Sequence, residues 1–320
     1  MTFAVVQPMH IPDGFLSVAV SVALWVFSIL AIAYALRRVN RDFDERKVPL
    51  MGVLAAAIFA GQMLNFAVTG GTSGHLMGAA IATILLGPWA AVLVITAVVG
   101  VQALIFQDGG ILALGANIFN MGVVGVAVSY FTYRTVMQIA RDQKWGVFVG
   151  GFAAGWLSIF IASLGVALQL ALSGTSPANL AVPAMGAIHA LIGVGEGLIT
   201  VGALAFLYAA RPDLVLANGR TAPLGKAIWI GGLVIALALA VLAPLASANP
   251  DGLEWVAEQR GFLDRGQEPL YNIIPDYVFP GISDEAVATI LAGFVGVLLV
   301  LGVVAFLSYS RRRRAADNKA

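Results

Sequence analysis

The chain has 320 residues, of which 60% are hydrophobic and 11% charged, and its formal net charge is +1. A soluble domain of this size needs far more polar surface to cover its core, and no basic, aromatic-rich segment indicates nucleic-acid binding. Because the chain has no cysteine, a disulfide, a thiolate metal site and a redox thiol are excluded. Repeated apolar runs of about 20 residues predict an all-α integral membrane protein, a polytopic helical bundle.

The first candidate site is Met9-His10-Ile11-Pro12-Asp13-Gly14, which precedes the first long apolar run. If the mature chain begins at Met9, its α-amine, the His10 backbone nitrogen and His10 Nδ1 can chelate one ion through a five-membered and a six-membered ring. Three nitrogens in one plane suit Ni(II), Cu(II) or some forms of Co(II). With residues 1–8 attached, the Met9 nitrogen is an amide and the amine ligand is lost. Those residues lack the charge and cleavage pattern of a signal peptide, and we expect the functional chain to start at Met9.

Nine apolar segments are predicted to cross the membrane, namely 15–36, 49–67, 75–87, 88–106, 111–133, 147–172, 187–209, 227–247 and 288–309. Residues 75–106 are almost continuously apolar, and as one helix they would be about 48 Å long, too long for a hydrocarbon core of about 30 Å. Gly87-Pro88 falls inside this run, where proline interrupts the helical hydrogen bonds. We therefore predict two spans there.

The distribution of positive charge supports this arrangement. With the N-terminus outside, every Lys and Arg except Arg260 and Arg265 falls in a cytoplasmic loop or in the C-terminal tail, as the positive-inside rule requires. A single span over 75–106 would move the basic cluster at 134–144 to the outer side. The nine-span arrangement places His10, His75 and the loop before His189 on the outer side.

A polar linker from Arg211 to Lys226 marks a domain boundary near residue 215. It separates a first domain, 1–215, from a second unit, 225–310, and a basic cytoplasmic tail, 311–320. The second unit contains a long outer loop, 248–287, with eight acidic residues and two arginines. This loop is either a vestibule that attracts cations or a solvated connection.

Several further residues are candidates for metal binding or for a polar pathway. His75 follows the glycine-rich segment 69–74, and a neutral imidazole is a good ligand for Ni, Co, Cu and Zn. His189 is either a ligand or a hydrogen-bonded core histidine. Glu196, the one acidic residue within a predicted span, is costly in a membrane and indicates a polar interior. Asn65 and Thr72 are candidates to support His75, and Asn117 and Asn120 are candidates to line the interior, although helix–helix hydrogen bonding is the favoured interpretation for each.

Several of these motifs together resemble a known family. Met9 to Gly14, Asn65-Phe66 with Gly70 to Leu76, Gly115 to Gly122 and His189 to Thr200 are similar to motifs of the CbiM/NikM family. Members of that family are substrate-capture components of energy-coupling factor transporters for cobalt or nickel. The resemblance covers about residues 9–210. Pro250-Asp251-Gly252-Leu253-Glu254 resembles the PDGLE module, an accessory segment that would cover about 225–310.

The resemblance implies a site with four nitrogen ligands, from the Met9 amine, the His10 amide, the His10 imidazole and the His75 imidazole. It also implies Co(II) or Ni(II) as the transported substrate, with no permanent cofactor, and supply of cobalamin biosynthesis or of nickel enzymes. The implied partners are a membrane-embedded coupling (T) subunit and two cytoplasmic ATP-binding subunits. We expect a transporter subunit at the cell (inner) membrane rather than an enzyme. The residues do not separate cobalt from nickel, although a strict square plane favours nickel.

Two other functional classes stay open from the residues alone. A stand-alone metal channel or secondary permease would transport metal without an ATP-driven partner. An intramembrane metal-dependent hydrolase would use Glu196 as its base, but Glu196 lies deeper than His10 and His75 and far from both in sequence, which disfavours this class.

Overall fold

The computed structural model describes residues 9–42, 48–215 and 226–317. Some parts of the chain used in the predictions lie outside the described residues, namely Arg46, Lys47, Arg220, Lys319 and the extension 1–8. The described chain is mostly helical, with α1 Val18–Asp42, α2 Val48–Gln62, β1 Phe66–Val68, β2 Thr72–Gly74, α3 Ala79–Leu86, α4 Pro88–Val101, α5 Leu114–Asn117, α6 Gly125–Ile139, α7 Lys144–Leu172, α8 Ala178–Ala210, α9 Pro212–Val215, α10 Lys226–Leu242, α11 Gly252–Arg260 and α12 Glu285–Asp317. Two π-helical segments, Gln102–Phe106 and Ile118–Val124, extend α4 and join α5 to α6.

Seven helices of the described chain are long and apolar enough to cross a membrane, namely Val18–Arg41, Pro88–Phe106, Leu114–Ile139, Lys144–Leu172, Ala178–Ala210, Ile228–Leu245 and Glu285–Phe306. The prediction of an all-α, multi-pass membrane protein is therefore confirmed. Helices α2 and α3 have 15 and 8 residues, fewer than the roughly 20 that a full span needs. The count of nine spans stays a prediction.

The predicted break at Gly87-Pro88 is present. Gly87 has a positive φ of 81°, and Pro88 occupies the first turn of α4, where its missing N–H is not needed. Before this break the structure departs from two continuous helices. Strands β1 and β2 form a short hairpin, with Phe66 opposite Gly74, and residues 75–78 are irregular, so the second helix ends earlier and the third begins later than predicted.

Helices α10 and α12 pack against α2, and glycines make this close approach possible. A Cβ atom on Gly232 would lie 2.7 Å from Val53, and one on Gly296 would lie 2.0 Å from the ring of Phe59. Phe59 is fully buried. The C-terminal unit is thus joined to the rest of the bundle mainly through α2.

The long loops meet at one end of the bundle, which we call the loop end. There the Gln267 N–H donates to the Asp13 carbonyl at 2.8 Å, and the Ile274 N–H donates to the Ile105 carbonyl at 3.0 Å. Helix α1, the span Leu114–Ile139 that ends with α6, and helix α8 start at the loop end, and their C-terminal turns lead to Arg41, Arg141 and Arg211 at the other end. Residues of both chain halves therefore combine at the loop end, away from these arginines.

Candidate metal site

A cavity of about 80 Å³ lies at the loop end. Segments from most of the chain contribute to its wall, and its lining combines imidazoles, amides, one carboxylate and methionines. The lining includes Met9, His10, Gly74, His75, Met77, Asn117, Asn120, Met121, Met185, His189 and Asp251.

Contacts at three residues hold the segment Met9 to Gly14 in place. The Asn117 side-chain amide both accepts from the Ile11 N–H and donates to the Ile11 carbonyl, each at 3.1 Å. The Asp13 carboxylate accepts from the Ala113 N–H at 2.8 Å. Gly14 has a positive φ of 91°, and a Cβ there would lie 2.0 Å from the Arg265 carbonyl oxygen. These contacts fix the backbone that follows His10.

His10 is buried, and two of its nitrogens face a single atom. The His10 backbone N–H donates to Oδ1 of Asp108 at 3.1 Å, and His10 Nδ1 lies 3.0 Å from the same Oδ1. Both nitrogens are therefore directed at one point, as a chelate through the backbone and imidazole nitrogens requires. The other carboxylate oxygen, Oδ2, accepts a hydrogen bond of 2.6 Å from the Tyr277 hydroxyl.

Two glycines allow the loop that carries Asp108 to approach His10 closely. A Cβ on Gly109 would lie 3.0 Å from His10 Cβ, and φ at Gly109 is positive, at 95°. A Cβ on Gly110 would lie 2.0 Å from the Asp13 carboxylate. The loop is flanked by the two π-helical segments, a rare geometry that is frequent at functional sites.

The imidazole ring of His75 contacts the imidazole ring of His10. The two imidazole rings have a centroid separation of 5.3 Å and an interplanar angle of 75°. Nδ1 of His75 lies 3.4 Å from Oδ2 of Asp251. Each of the two histidines thus has one nitrogen facing a buried carboxylate.

Electrostatics couple His10 to Asp108. Burial lowers the pKa of His10, but the Asp108 charge raises it, and the net pKa lies above the ordinary value. Burial raises the pKa of Asp108, but the His10 charge and the Tyr277 hydrogen bond lower it to about 2. Burial raises the pKa of Tyr277 well above 10, so its hydroxyl remains a donor to Asp108. The negative charge of Asp108 therefore favours the protonated form of the His10 imidazole.

Other predicted site residues fall into two groups. Asn117, Asn120 and His189 line the cavity. Asn120 exchanges two hydrogen bonds of 2.8 Å with Gln169, and Nδ1 of His189 lies 2.8 Å from the Met185 carbonyl. His189 is thus bonded within its own helix.

Asn65, Thr72 and Glu196 lie away from the cavity wall. The Thr72 hydroxyl donates to the Pro250 carbonyl at 3.0 Å. Glu196 accepts from the N–H groups of Met77 at 2.7 Å and Gly78 at 3.0 Å. Its carboxylate therefore holds the segment that follows His75 in place.

Asp108 was not among the predicted site residues, and Asp251 was named only as part of the PDGLE motif and of the acidic outer loop. Tyr277 was not considered. The one local signal for Asp108 is the polar segment Gln107-Asp108-Gly109-Gly110 between two apolar runs at the outer side.

Among the described residues, side chains alone do not supply a full set of metal ligands. Within the described ranges, no three His, Asp or Glu side chains are grouped so that they could hold a metal ion. The backbone nitrogen and imidazole of His10 lie beside the imidazole of His75 here. This set fits a nitrogen-coordinated Co(II) or Ni(II) ion.

Comparisons with known proteins agree with this chemistry. A family model described as the cobalt uptake substrate-specific transmembrane region matches residues 10–214, and one described as the PDGLE domain matches residues 226–313. A putative fused nickel transport protein NikMN of Archaeoglobus fulgidus is 38% identical over 317 residues, which are 95% of this chain and 99% of that protein. A cobalt transport protein CbiM of Sorangium cellulosum is 34% identical over 65% of this chain and 94% of its own length.

A solved structure shares the fold of the first part of the chain. The crystal structure of a truncated transition metal transporter is 33% identical, with a TM-score of 0.56 over 63% of this chain and 99% of that one.

Proposed function

Because the chain belongs to the cobalt uptake substrate-specific transmembrane family and carries a C-terminal PDGLE domain, we propose that it captures Co(II) or Ni(II) at the outer face for import. It is a metal-transport membrane protein of the cobalt/nickel class, and its relatives are named as transport proteins rather than enzymes. In the proposal, it is the substrate-specific subunit of an energy-coupling factor transporter. A membrane-embedded coupling subunit and two cytoplasmic ATP-binding subunits then drive release of the ion inward.

One observation carries this proposal. The backbone nitrogen and Nδ1 of His10 converge on a single point, and the imidazole of His75 lies beside it, with ring centroids 5.3 Å apart. An ion held by both His10 nitrogens would lie in front of the Asp108 carboxylate, whose negative charge offsets that of the ion. The α-amine of Met9, in a chain that starts there, supplies the third nitrogen, and His75 supplies the fourth.

The test is metal binding by the purified protein, measured by calorimetry with Co(II) and Ni(II). We expect one ion per chain, and we expect His10→Ala and His75→Ala to abolish high-affinity binding, because each removes an imidazole donor. His189→Ala is the matched control, since this histidine lines the same cavity but is bonded to its own helix. Unchanged stoichiometry and affinity in the His10 and His75 variants would contradict the proposed site.

The Met9 amine is tested separately by intact-protein mass spectrometry of the membrane-purified chain. We expect a mass that corresponds to a start at Met9. A purified chain that retains residues 1–8 and still binds the ion tightly would remove the α-amine from the ligand set.

The transport step is tested in vesicles. If the proposal is correct, vesicles that contain this chain alone take up no metal, and uptake requires the partner subunits and ATP. Uptake by the chain alone, without ATP, would instead establish a channel or secondary permease.

A further inference from the structure

The PDGLE segment of the C-terminal unit, Pro250 to Glu254, lies directly against the strand that leads to His75. The Ser73 N–H donates to the Pro250 carbonyl at 2.8 Å, and Ser73 and Asp251 form a parallel β-bridge. A Cβ on Gly252 would lie 2.6 Å from Ile192 and 3.0 Å from His189. Glycine is therefore what lets this segment reach the cavity wall.

The two oxygens of Asp251 have separate roles. Oδ1 caps the start of α11, where it accepts from the N–H groups of Leu253 at 2.9 Å and Glu254 at 3.2 Å. Oδ2 lies 3.4 Å from Nδ1 of His75. Asp251 is only 5% exposed, so the cap fixes which oxygen faces the imidazole.

Nδ1 of His75 is buried and makes no hydrogen bond to another group in the described parts of the chain. At 3.4 Å, Oδ2 of Asp251 is the carboxylate oxygen that faces this nitrogen, and a shorter approach of the two atoms would form a hydrogen bond. A carboxylate can only accept a hydrogen bond, so the ring nitrogen that faces it carries the proton. The other nitrogen, Nε2, then has a free lone pair.

We propose that Asp251 is a positioning residue for the metal site: it holds the proton of His75 on Nδ1 and leaves Nε2 to coordinate the ion. This inference rests on the proposed function, because it assumes that His75 is a metal ligand. Hydrogen bonds of this kind fix the tautomer and ring orientation of ligating histidines. The C-terminal unit thereby completes the site built by the first domain.

The test reverses the hydrogen bond at Asp251. In Asp251→Asn, the amide oxygen still caps α11, which places the amide NH₂ group toward His75 Nδ1. This donor requires Nδ1 to be an acceptor, so the proton moves to Nε2 and blocks the ligand atom. We expect metal affinity to fall by about 10- to 100-fold, the usual effect of losing such a contact.

Asp251→Ser is the matched control, because serine is a good helix N-cap but places no donor at His75 Nδ1. It loses the same negative charge as the asparagine variant. We expect a smaller loss of affinity than in Asp251→Asn and the same thermal unfolding midpoint in both variants. Equal affinities in the two variants would overturn the tautomer role.

A direct measurement is ¹⁵N NMR of protein labelled at histidine, since the chain contains only 3 histidines. His75→Ala assigns the His75 signals and also tests the ligand itself. We expect the proton on Nδ1 of His75 in the unsubstituted protein and on Nε2 in Asp251→Asn. A proton on Nε2 in the unsubstituted, ion-free protein would overturn the proposal.

The metal-binding results distinguish failure of the proposed metal site from failure of the proposed role of Asp251. If the unsubstituted protein and His75→Ala bind Ni(II) equally well, the proposed function fails and this inference fails with it. If His75→Ala loses binding but Asp251→Asn keeps the original affinity and tautomer, the metal site stands and only the role of Asp251 is wrong.

Discussion

At the scale of single residues, the contact between His10 and Asp108 has a direct consequence for metal binding. The two His10 nitrogens that would hold the ion face Oδ1 of Asp108 in the ion-free protein. An arriving ion must therefore replace the proton on Nδ1, and Asp108 stabilises both the proton and the ion. Metal binding at this site is coupled to proton release.

The sign of the pH dependence follows from the pKa of His10, which the Asp108 charge raises and burial lowers. Below this pKa the proton competes with the ion, and affinity falls by about tenfold per pH unit. In Asp108→Asn the raising charge is absent and burial dominates, so the pKa of His10 falls. We expect the loss of metal binding on acidification to begin at a lower pH in this variant, measured by calorimetry between about pH 5 and pH 8.

Asp264→Asn is the control for this measurement, since Asp264 is an exposed acid in the same loop region. It changes the net charge by the same amount, and we expect no shift of the pH profile. A profile in Asp108→Asn that coincides with that of the unsubstituted protein would show that His10 does not exchange a proton for the ion.

The two candidate imidazoles could be predicted from the sequence, and their carboxylate partners could not. Histidine is rare in this chain, and His10 and His75 each stand in a recognisable motif at the edge of an apolar run. Asp108 is 98 residues from His10 in sequence, and Asp251 belongs to the PDGLE motif, which carries no signal that pairs it with His75. Only the folded chain shows that these two acids are buried against histidines.

At the scale of secondary-structure elements, the packing of α10 and α12 on α2 determines where the PDGLE segment lies. Gly296 permits this packing, because a Cβ at that position would lie 2.0 Å from the buried Phe59 ring. The prediction of the break at Gly87-Pro88 was correct because proline acts locally. A separate helix before Gly87 was predicted, but the hairpin Phe66–Gly74 and the start of α3 at Ala79 rather than at residue 75 were not. Apolar composition is the same in a helix and in an irregular segment buried by neighbouring helices.

We expect Gly296→Ala to destabilise the docking of α12 on α2. The added methyl group overpacks a site with no free space, which costs about 1–3 kcal/mol, and we expect a lower thermal unfolding midpoint in detergent. Gly302→Ala lies on the same helix, where an added Cβ meets no atom within 4 Å. Equal midpoints for the two variants would show that α12 is not packed closely against Phe59.

At the scale of the whole molecule, the loops and the cavity lie at one end, and the C-terminal turns of α1, α6 and α8 lead to arginines at the other. The positive-inside rule places the arginine end in the cytoplasm. We therefore expect the candidate site to face outward, as the proposed capture of an external ion requires.

This orientation can be measured because the chain has no cysteine. Single cysteines at Gln259, which is exposed at the loop end, and at Gln143, which is exposed in the turn between α6 and α7, can be labelled in intact cells with a membrane-impermeant maleimide. We expect Gln259→Cys to react in intact cells and Gln143→Cys to react only after lysis. The reverse pattern would place the cavity in the cytoplasm and contradict capture from outside.

The covalent link between the first domain and the PDGLE unit also affects how Asp251 acts. Because both lie in one chain, the unit is always present in a one-to-one ratio with the first domain. Helices α10 and α12 pack closely on α2, and this packing keeps Asp251 next to His75 without a separate binding step. If the unit were a separate protein, the contact with His75 would be lost whenever that protein dissociated.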